Sequence, residues 1–110
     1  MTISQPWLAS YEPGVPHQIN PGEYSSLVDL LDQSFKQFAK RDMAAFMDVH
    51  WTFEQVDDLS RALAGYFQSI GLAKGARIAL MMPNVPQYVV ALAAVLRAGY
   101  VVVNVNPLYT

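Results

Sequence analysis

The residues of this chain that could take part in chemistry are few, and they stand at the ends of apolar runs. Asp48 follows the apolar run 43–47. Asn104 and Asn106 flank the end of the valine-rich run 101–105. In open parallel sheets, ligands bind beside the carboxyl ends of strands, so these side chains could contact a ligand. We favour turn chemistry for all three, because Asp and Asn commonly hydrogen-bond the backbone of a turn.

The histidines and the adjacent carboxylates form no catalytic pattern. His17 and His50 are far apart, and neither begins a metal-ligand spacing, so we interpret His50 as a surface residue before a helix. Asp57 and Asp58 are neighbours on a predicted helix, where consecutive side chains point in different directions. We interpret them as a solvated face. The sequence therefore assigns no catalytic, cofactor-binding or metal-binding residue.

The glycines and the absence of cysteine exclude other kinds of site. Gly71 and Gly75 lack the Gly-x-x-x-x-Gly-Lys-Ser/Thr spacing of a phosphate-binding loop and lead into a strand, so they indicate a connecting turn. With 0 cysteines the chain has no disulfide framework and no thiolate chemistry.

Composition favours a globular domain with an apolar surplus. Hydrophobic residues make up 53% of the 110 residues and charged residues only 15%, so part of the apolar surface is expected to meet something outside the chain. The basic residues are scattered and the net charge is -2, which excludes a nucleic-acid footprint. The N-terminus does not resemble a signal peptide. The apolar run 88–103 is too short to span a membrane, and peripheral membrane contact stays open.

Helical periodicity places three helices along the chain. Residues 1–24, rich in proline and glycine, predict an extended arm whose Trp7, Leu8 and Tyr11 lie on an apolar surface. Residues 25–41 predict the first helix, capped by Ser25 or Ser26. Its apolar face is predicted to be Leu27, Leu30, Leu31, Phe35 and Phe38.

The second helix carries the clearest signals. Thr52 and Gln55 form a capping box at its start, and Gly71 is a left-handed stop. Its buried stripe is predicted to be Val56, Leu59, Leu63, Phe67 and Ile70. The third helix, near 87–99, is predicted to be capped by Asn84 and, being apolar nearly all round, to be covered on more than one side.

Three apolar runs predict strands between these helices. They lie at 43–49, 77–82 and 100–105, which gives the order αβαβαβ. Such alternation predicts an α/β fold with a mostly parallel sheet. The last run has no charge or proline to blunt an exposed edge, so it reads as an inner strand. We therefore expect residues 25–110 to be a partial α/β subdomain, a piece of a larger domain.

Several motifs in order resemble a known superfamily. They are a Thr-aromatic helix start, a Gly-Leu-x-x-Gly turn, Met-Pro-Asn after a strand, and Leu-x-Ala-Gly followed by a strand and Asn-Pro. Together they resemble the N-terminal part of the AMP-forming acyl-adenylating enzymes. Within that superfamily, ALMMPN, VVVNVNPLYT and INPGEYSSLVDLL most resemble the bacterial long-chain fatty-acid–CoA ligases. Ala76 departs from the pattern, where aspartate is common.

The resemblance implies a two-step reaction for a full-length enzyme. A fatty acid attacks the α-phosphate of ATP to give acyl-AMP and pyrophosphate, and the thiol of coenzyme A then displaces AMP. ATP, Mg²⁺ and coenzyme A are the implied cofactors. The family's catalytic loop, adenylate motif and C-terminal lysine have no counterpart here, so the 110-residue chain alone is expected to bind no cofactor and to be inactive. A cytoplasmic location, peripheral contact with the inner membrane face, and a homodimer through the arm are further expectations.

Three alternatives stay open at this stage. One is another acyl-adenylating ligase, for a medium-chain or aromatic acid. Another is a stand-alone signalling module with Asp48 as the acceptor, although the neighbouring acids and a lysine after the last strand are missing. The third is a non-catalytic α/β interaction module, supported only by the apolar surplus.

Overall fold

The computed structural model describes residues 3–109, which form helices and strands in alternating groups. In chain order they are a 3₁₀ helix Pro6–Ser10, α1 Leu27–Gln37, β1 Asp42–Phe46, β2 Val49–Thr52, α2 Phe53–Ser69, β3 Arg77–Leu80, α3 Pro86–Arg97 and β4 Val101–Asn104. The predicted α/β class is confirmed. In the described range, no helix has both the length and the apolar character that a membrane crossing requires.

The N-terminal arm contains one turn of 3₁₀ helix and buries none of that turn's residues. Trp7 and Tyr11 are exposed, so the apolar surface predicted to cover them is not formed by the described chain. The Tyr11 ring meets the ring of His17 edge-on, with centroids 5.8 Å apart. The boundary between arm and subdomain at residue 24 stays a prediction.

Helix α1 begins as the capping signal predicted. The Ser26 hydroxyl accepts a hydrogen bond from the Asp29 backbone N–H at 3.0 Å, which satisfies a donor that the helix leaves free. Phe35 is the one fully buried residue of α1, whereas Leu27 in the first turn is exposed. The predicted apolar face is therefore wrong at Leu27, because the neighbouring elements cover only the later turns.

Strands β1 and β2 form an antiparallel hairpin, which corrects the prediction of one strand over 43–49 in a parallel sheet. Phe46 pairs with Val49, and the two residues between them have positive φ, +47° for Met47 and +63° for Asp48. Two such residues are what a tight hairpin turn with the right-handed twist of the strands requires. The turn lacks the usual Asn-Gly signal, so the sequence did not indicate it.

Helix α2 starts at the predicted capping box. The Gln55 backbone N–H donates to Thr52 Oγ1 at 3.2 Å, and Gln55 Oε1 accepts from the Thr52 backbone N–H at 2.9 Å. Gly71 follows the helix with φ +80°, a conformation that favours glycine.

The buried face of α2 differs from the predicted stripe. Val56, Ser60 and Ala64 are buried, whereas Leu59 and Ile70 are exposed. The reason is that α2 packs on α3, and small residues at 60 and 64 let the two helices approach closely.

Strands β3 and β4 form the parallel pair that the sequence predicted. Ile78 pairs with Val102, and Leu80 pairs with Asn104. The turn before β3 is tied to the end of α3, because the Gly75 backbone N–H donates to the Gly99 carbonyl at 2.9 Å. The four described strands form two separate two-stranded sheets, and the predicted parallel arrangement is confirmed for the β3–β4 sheet alone.

Helix α3 lies at the centre of the fold. It starts at Pro86 with Val85 as the N-cap residue and no side-chain cap, so the predicted cap at Asn84 is wrong. Its Val90 and Ala93 pack in one buried cluster with Phe35 of α1. Its Ala91, Ala94 and Val95 pack in a second cluster with Ala64 and Leu80, which confirms that α3 is covered on more than one side.

Candidate functional site

A groove opens at the carboxyl ends of β3 and β4, beside the first turn of α3. Its volume is about 580 Å³, and its polar lining residues are Asn84, Tyr88, Asn104, Asn106 and Tyr109. This is the edge at which parallel sheets bind ligands. The groove is therefore the candidate site.

The two asparagines after β4 have different roles. Asn104 lies on the sheet face that packs on α3, and its side-chain oxygen accepts a hydrogen bond from the Tyr88 hydroxyl. Asn106 Oδ1 accepts from the Leu108 backbone N–H at 2.9 Å, which closes a turn. The turn interpretation is confirmed for Asn106. For Asn104 it is wrong, because that side chain joins β4 to α3 at the groove.

Asp48 does not reach this groove. It occupies the second position of the β1–β2 turn, and the strand before it belongs to an antiparallel pair. The rule about carboxyl ends of parallel strands therefore does not apply to it, and its predicted position in a turn is confirmed.

The histidines are surface residues, as predicted for His50. His50 Nδ1 lies 2.7 Å from Asp42 Oδ2 across the hairpin, and both side chains are more than half exposed. Across residues 3–109, His, Asp and Glu side chains form no group of three that could hold a metal ion.

A buried charge cluster, absent from the sequence-based predictions, joins the three helices. The side chain of Arg97 is only 9% exposed, and its guanidinium donates to Asp32 Oδ1 at 2.6 Å and to Ser60 Oγ at 2.8 Å. It also contacts the Asp57 carboxylate and lies 4.6 Å from the centre of the Phe35 ring. We call these five residues the Arg97 cluster.

Asp57 within the Arg97 cluster corrects the interpretation of 57 and 58 as one solvated face. Asp58 is exposed, but the Asp57 side chain is 19% exposed. Burial raises the pKa of Asp57, yet hydrogen bonds and charge from Arg61 and Arg97 outweigh it and lower the pKa below its usual value. Asp57 is therefore ionised at neutral pH and holds the helices together.

The buried polar atoms of the Arg97 cluster are paired within the protein. Every buried side-chain nitrogen and oxygen in the described part of the chain has a hydrogen-bond partner. A missed signal did exist: Arg97 interrupts the otherwise apolar run 88–103, and a charge that is buried in such a run needs a partner.

The groove offers hydrogen-bond donors and acceptors, and its lining contains no charged side chain. Its lining contains amides, phenols and apolar side chains, and no Lys, Arg, His, Asp or Glu. ATP phosphates need cations or clustered backbone N–H groups, and Mg²⁺ needs carboxylate or phosphate oxygens. The side chains that line the groove therefore do not fit the phosphates of a nucleoside triphosphate or the Mg²⁺ ion that accompanies them.

The family model and the curated relatives that match this chain agree with each other. The family model described as AMP-binding enzyme matches residues 31–110. The long-chain-fatty-acid–CoA ligase of Escherichia coli O6:H1 is 51% identical over 105 residues, which cover 94% of this chain and 19% of that ligase. The chain thus spans about a fifth of the length of that curated relative.

Solved structures match the fold. The N-terminal subdomain of Klebsiella oxytoca NpsA superposes with a TM-score of 0.73 at 25% identity, over 77% of this chain and 22% of that chain. The complex of VinN with 3-methylaspartate gives a TM-score of 0.73 at 32% identity, over 79% of this chain and 24% of that chain. More than three quarters of this chain therefore shares its fold with part of each of these two longer chains.

Proposed function

The chain belongs to the AMP-binding enzyme family, and from this premise we propose that it forms the N-terminal part of an AMP-forming long-chain fatty-acid–CoA ligase. The observation that carries the proposal is the 51% identity to such a ligase across 94% of the chain.

The whole enzyme would activate a fatty acid in two steps. The carboxylate attacks the α-phosphate of ATP and releases pyrophosphate, which converts a poor leaving group into AMP. The coenzyme A thiol then attacks the acyl carbonyl and AMP departs. Mg²⁺ would offset the phosphate charge in the first step.

This chain would contribute scaffold rather than reacting groups. Its groove has no charged lining residue, and the buried polar atoms of the Arg97 cluster all have partners within the described residues. Residues that hold ATP, Mg²⁺ and coenzyme A are therefore assigned to parts of the relatives that have no counterpart here. We expect the 110-residue chain alone to be inactive. The cytoplasmic location, peripheral membrane contact and homodimer stay predictions.

A chimera tests the proposal. The chain replaces the matching segment of the E. coli O6:H1 ligase, and palmitate-dependent exchange of labelled pyrophosphate into ATP is measured. We expect a rate within about tenfold of the parent ligase, which corresponds to a loss of about 1.4 kcal/mol of transition-state stabilisation. The isolated chain should give no exchange.

A second chimera is the matched control. It carries the corresponding segment of VinN, which shares the fold but is only 32% identical to this chain. We expect that chimera to be far less active. Equal activity of the two chimeras would show that the segment supplies a general fold and no ligase-specific fit. A folded but inactive first chimera would contradict the proposal directly.

A further inference from the structure

Helix α2 has a second apolar stripe, separate from the face that packs on α3. Leu59, Tyr66 and Ile70 are 45%, 59% and 49% exposed, and Ala62 between them is exposed as well. At 3.6 residues per turn, spacings of three, four and seven residues place these four side chains along one side of the helix and its C-cap residue. We call this surface the Tyr66 stripe.

The Tyr66 stripe contains no charged side chain, although α2 carries charges elsewhere. Glu54, Asp57 and Arg61 lie about half a turn away from the stripe on the helix. Arg61 pairs with Asp57, and Glu54 pairs with Lys40, so these charges have partners within the chain. An exposed apolar strip with a polar border is typical of an interaction surface.

The charges of α2 exclude a lipid surface as the occupant of the stripe. Helices that lie on membranes carry Lys and Arg on their polar face. The polar side of α2 has three carboxylates, Glu54, Asp57 and Asp58, and Arg61 is its one cation. The stripe therefore suits a protein surface.

A second copy of the chain matches the stripe when the two α2 helices run antiparallel. In a two-fold contact centred on Tyr66, residues equally far before and after Tyr66 meet, and each such contact occurs twice. Ile70 of one copy then packs on the partner's Ala62, a large side chain on a small one. Asp58 and Lys74 also meet, because they lie equally far from Tyr66 on its two sides.

Charge selects this arrangement over a parallel one. Across residues 3–109, neither Asp58 nor Lys74 forms an ion pair within its own chain, so both are available to a partner. A parallel pair would set the acidic first halves of the two helices against each other, and like charges across an interface are unfavourable.

We propose that the chain forms an antiparallel two-fold dimer through the Tyr66 stripe of α2. This contact goes beyond the proposed function, does not rest on it, and differs from the homodimer predicted through the N-terminal arm. A helix of 17 residues is about 25 Å long, so one of its faces offers less than the roughly 800 Å² per partner of a standard interface. The dimer is therefore weak, with a dissociation constant of about 10–100 µM.

Sedimentation velocity across this range of concentration tests the dimer. We expect the mass to rise from that of one chain to that of two. Tyr66→Lys should raise the dissociation constant more than about tenfold, because two ammonium groups would meet at the two-fold axis. Val49→Lys is the matched control, since Val49 is an exposed valine of the β1–β2 hairpin, and it should leave the dissociation constant unchanged.

Charge reversal tests the antiparallel register. Asp58→Lys and Lys74→Asp should each weaken the dimer about threefold, because each change places like charges together at both ends of the contact. The double variant restores opposite charges, so its dissociation constant should return to within about twofold of the wild-type value. A merely structural effect of either substitution would not be reversed by the other.

The absence of cysteine from the chain allows a second measurement. Tyr66→Cys places one thiol of each copy at the two-fold axis, where two packed helices bring facing Cα atoms to about 5 Å, within the range that a disulfide spans. Oxidation by diamide should link Tyr66→Cys into a covalent dimer and leave Val49→Cys mostly monomeric.

Each measurement has an outcome that overturns the proposal. A wild-type chain that sediments as a monomer throughout the series overturns it. A dimer that Tyr66→Lys leaves intact does so too, as a contact through the arm would produce. A double charge variant as weak as the single ones, or equal cross-linking of the two cysteine variants, also overturns it. Circular dichroism confirms that each variant is folded, which we expect because all the substituted side chains are exposed.

Discussion

Replacement of Arg97 by methionine should lower the free energy of unfolding more than replacement of an exposed arginine does. Arg97 contacts Asp32, Asp57, Ser60 and the Phe35 ring at once and is 9% exposed. Methionine keeps the apolar stem against Phe35 and removes the charge. The two carboxylates and the serine hydroxyl then lose their shared donor.

The expected magnitude follows from how deeply those partners are buried. Removal of one partner from a fully buried ion pair costs about 3–5 kcal/mol. Here the Asp32 side chain is 43% exposed and that of Asp57 is 19% exposed, so water replaces part of the lost interaction. We therefore expect Arg97→Met to lower the free energy of unfolding by about 2 kcal/mol.

Arg61 provides a matched control on the same carboxylate. Its guanidinium donates to Asp57 at 3.0 and 3.2 Å, but its side chain is 64% exposed. An exposed pair contributes less than about 1 kcal/mol, so Arg61→Met should have a small effect.

Urea denaturation followed by far-ultraviolet circular dichroism distinguishes the two variants. With a slope of about 1.5 kcal/mol per molar urea, Arg97→Met should shift the midpoint down by more than about 1 M and Arg61→Met by about 0.5 M or less. Equal shifts, or an unchanged midpoint for Arg97→Met, would refute the view that burial of the Arg97 cluster joins the helices.

Three further changes test local features by the same measurement. Because the pKa of Asp57 is lowered, its contribution should be complete above about pH 5 and lost as pH falls through the lowered pKa, and Asp57→Asn should flatten that fall. Thr52→Ala should cost about 1 kcal/mol by removing the cap of α2, whereas Ser69→Ala at its exposed end should cost less than about 0.5 kcal/mol. The paired change Met47→Asn with Asp48→Gly should raise the free energy of unfolding by about 1 kcal/mol, because the introduced asparagine and glycine favour the positive φ of this turn. A decrease would contradict that turn geometry.

The features predicted correctly are those that depend on neighbours in sequence. The capping box at Thr52 and Gln55, the stop at Gly71 and the strands around Ile78 and Val102 all formed as expected. Each depends on hydrogen bonds or dihedral preferences within a few residues. No distant contact is needed to specify them.

The features that the sequence missed depend on which elements meet. The hairpin at Met47 and Asp48 forms because β2 follows at once and pairs back, without the usual turn residues. On α2, Leu59 is exposed and Ser60 is buried because α3 lies against that side. Periodicity shows that a helix has an apolar side, but small residues decide where another helix can approach.

The features of the candidate site likewise fall into those that the sequence predicted and those that only the tertiary structure decided. Sequence alone placed Asn104 and Asn106 at a strand end and showed no phosphate-loop motif, because both conclusions depend on residue type and spacing. Only the tertiary structure decided that Asn104 bonds Tyr88 at a groove while Asp48 lies in a remote turn, and that Arg97 joins three helices. These contacts join residues far apart in the chain, and packing fixes such contacts where local preference cannot.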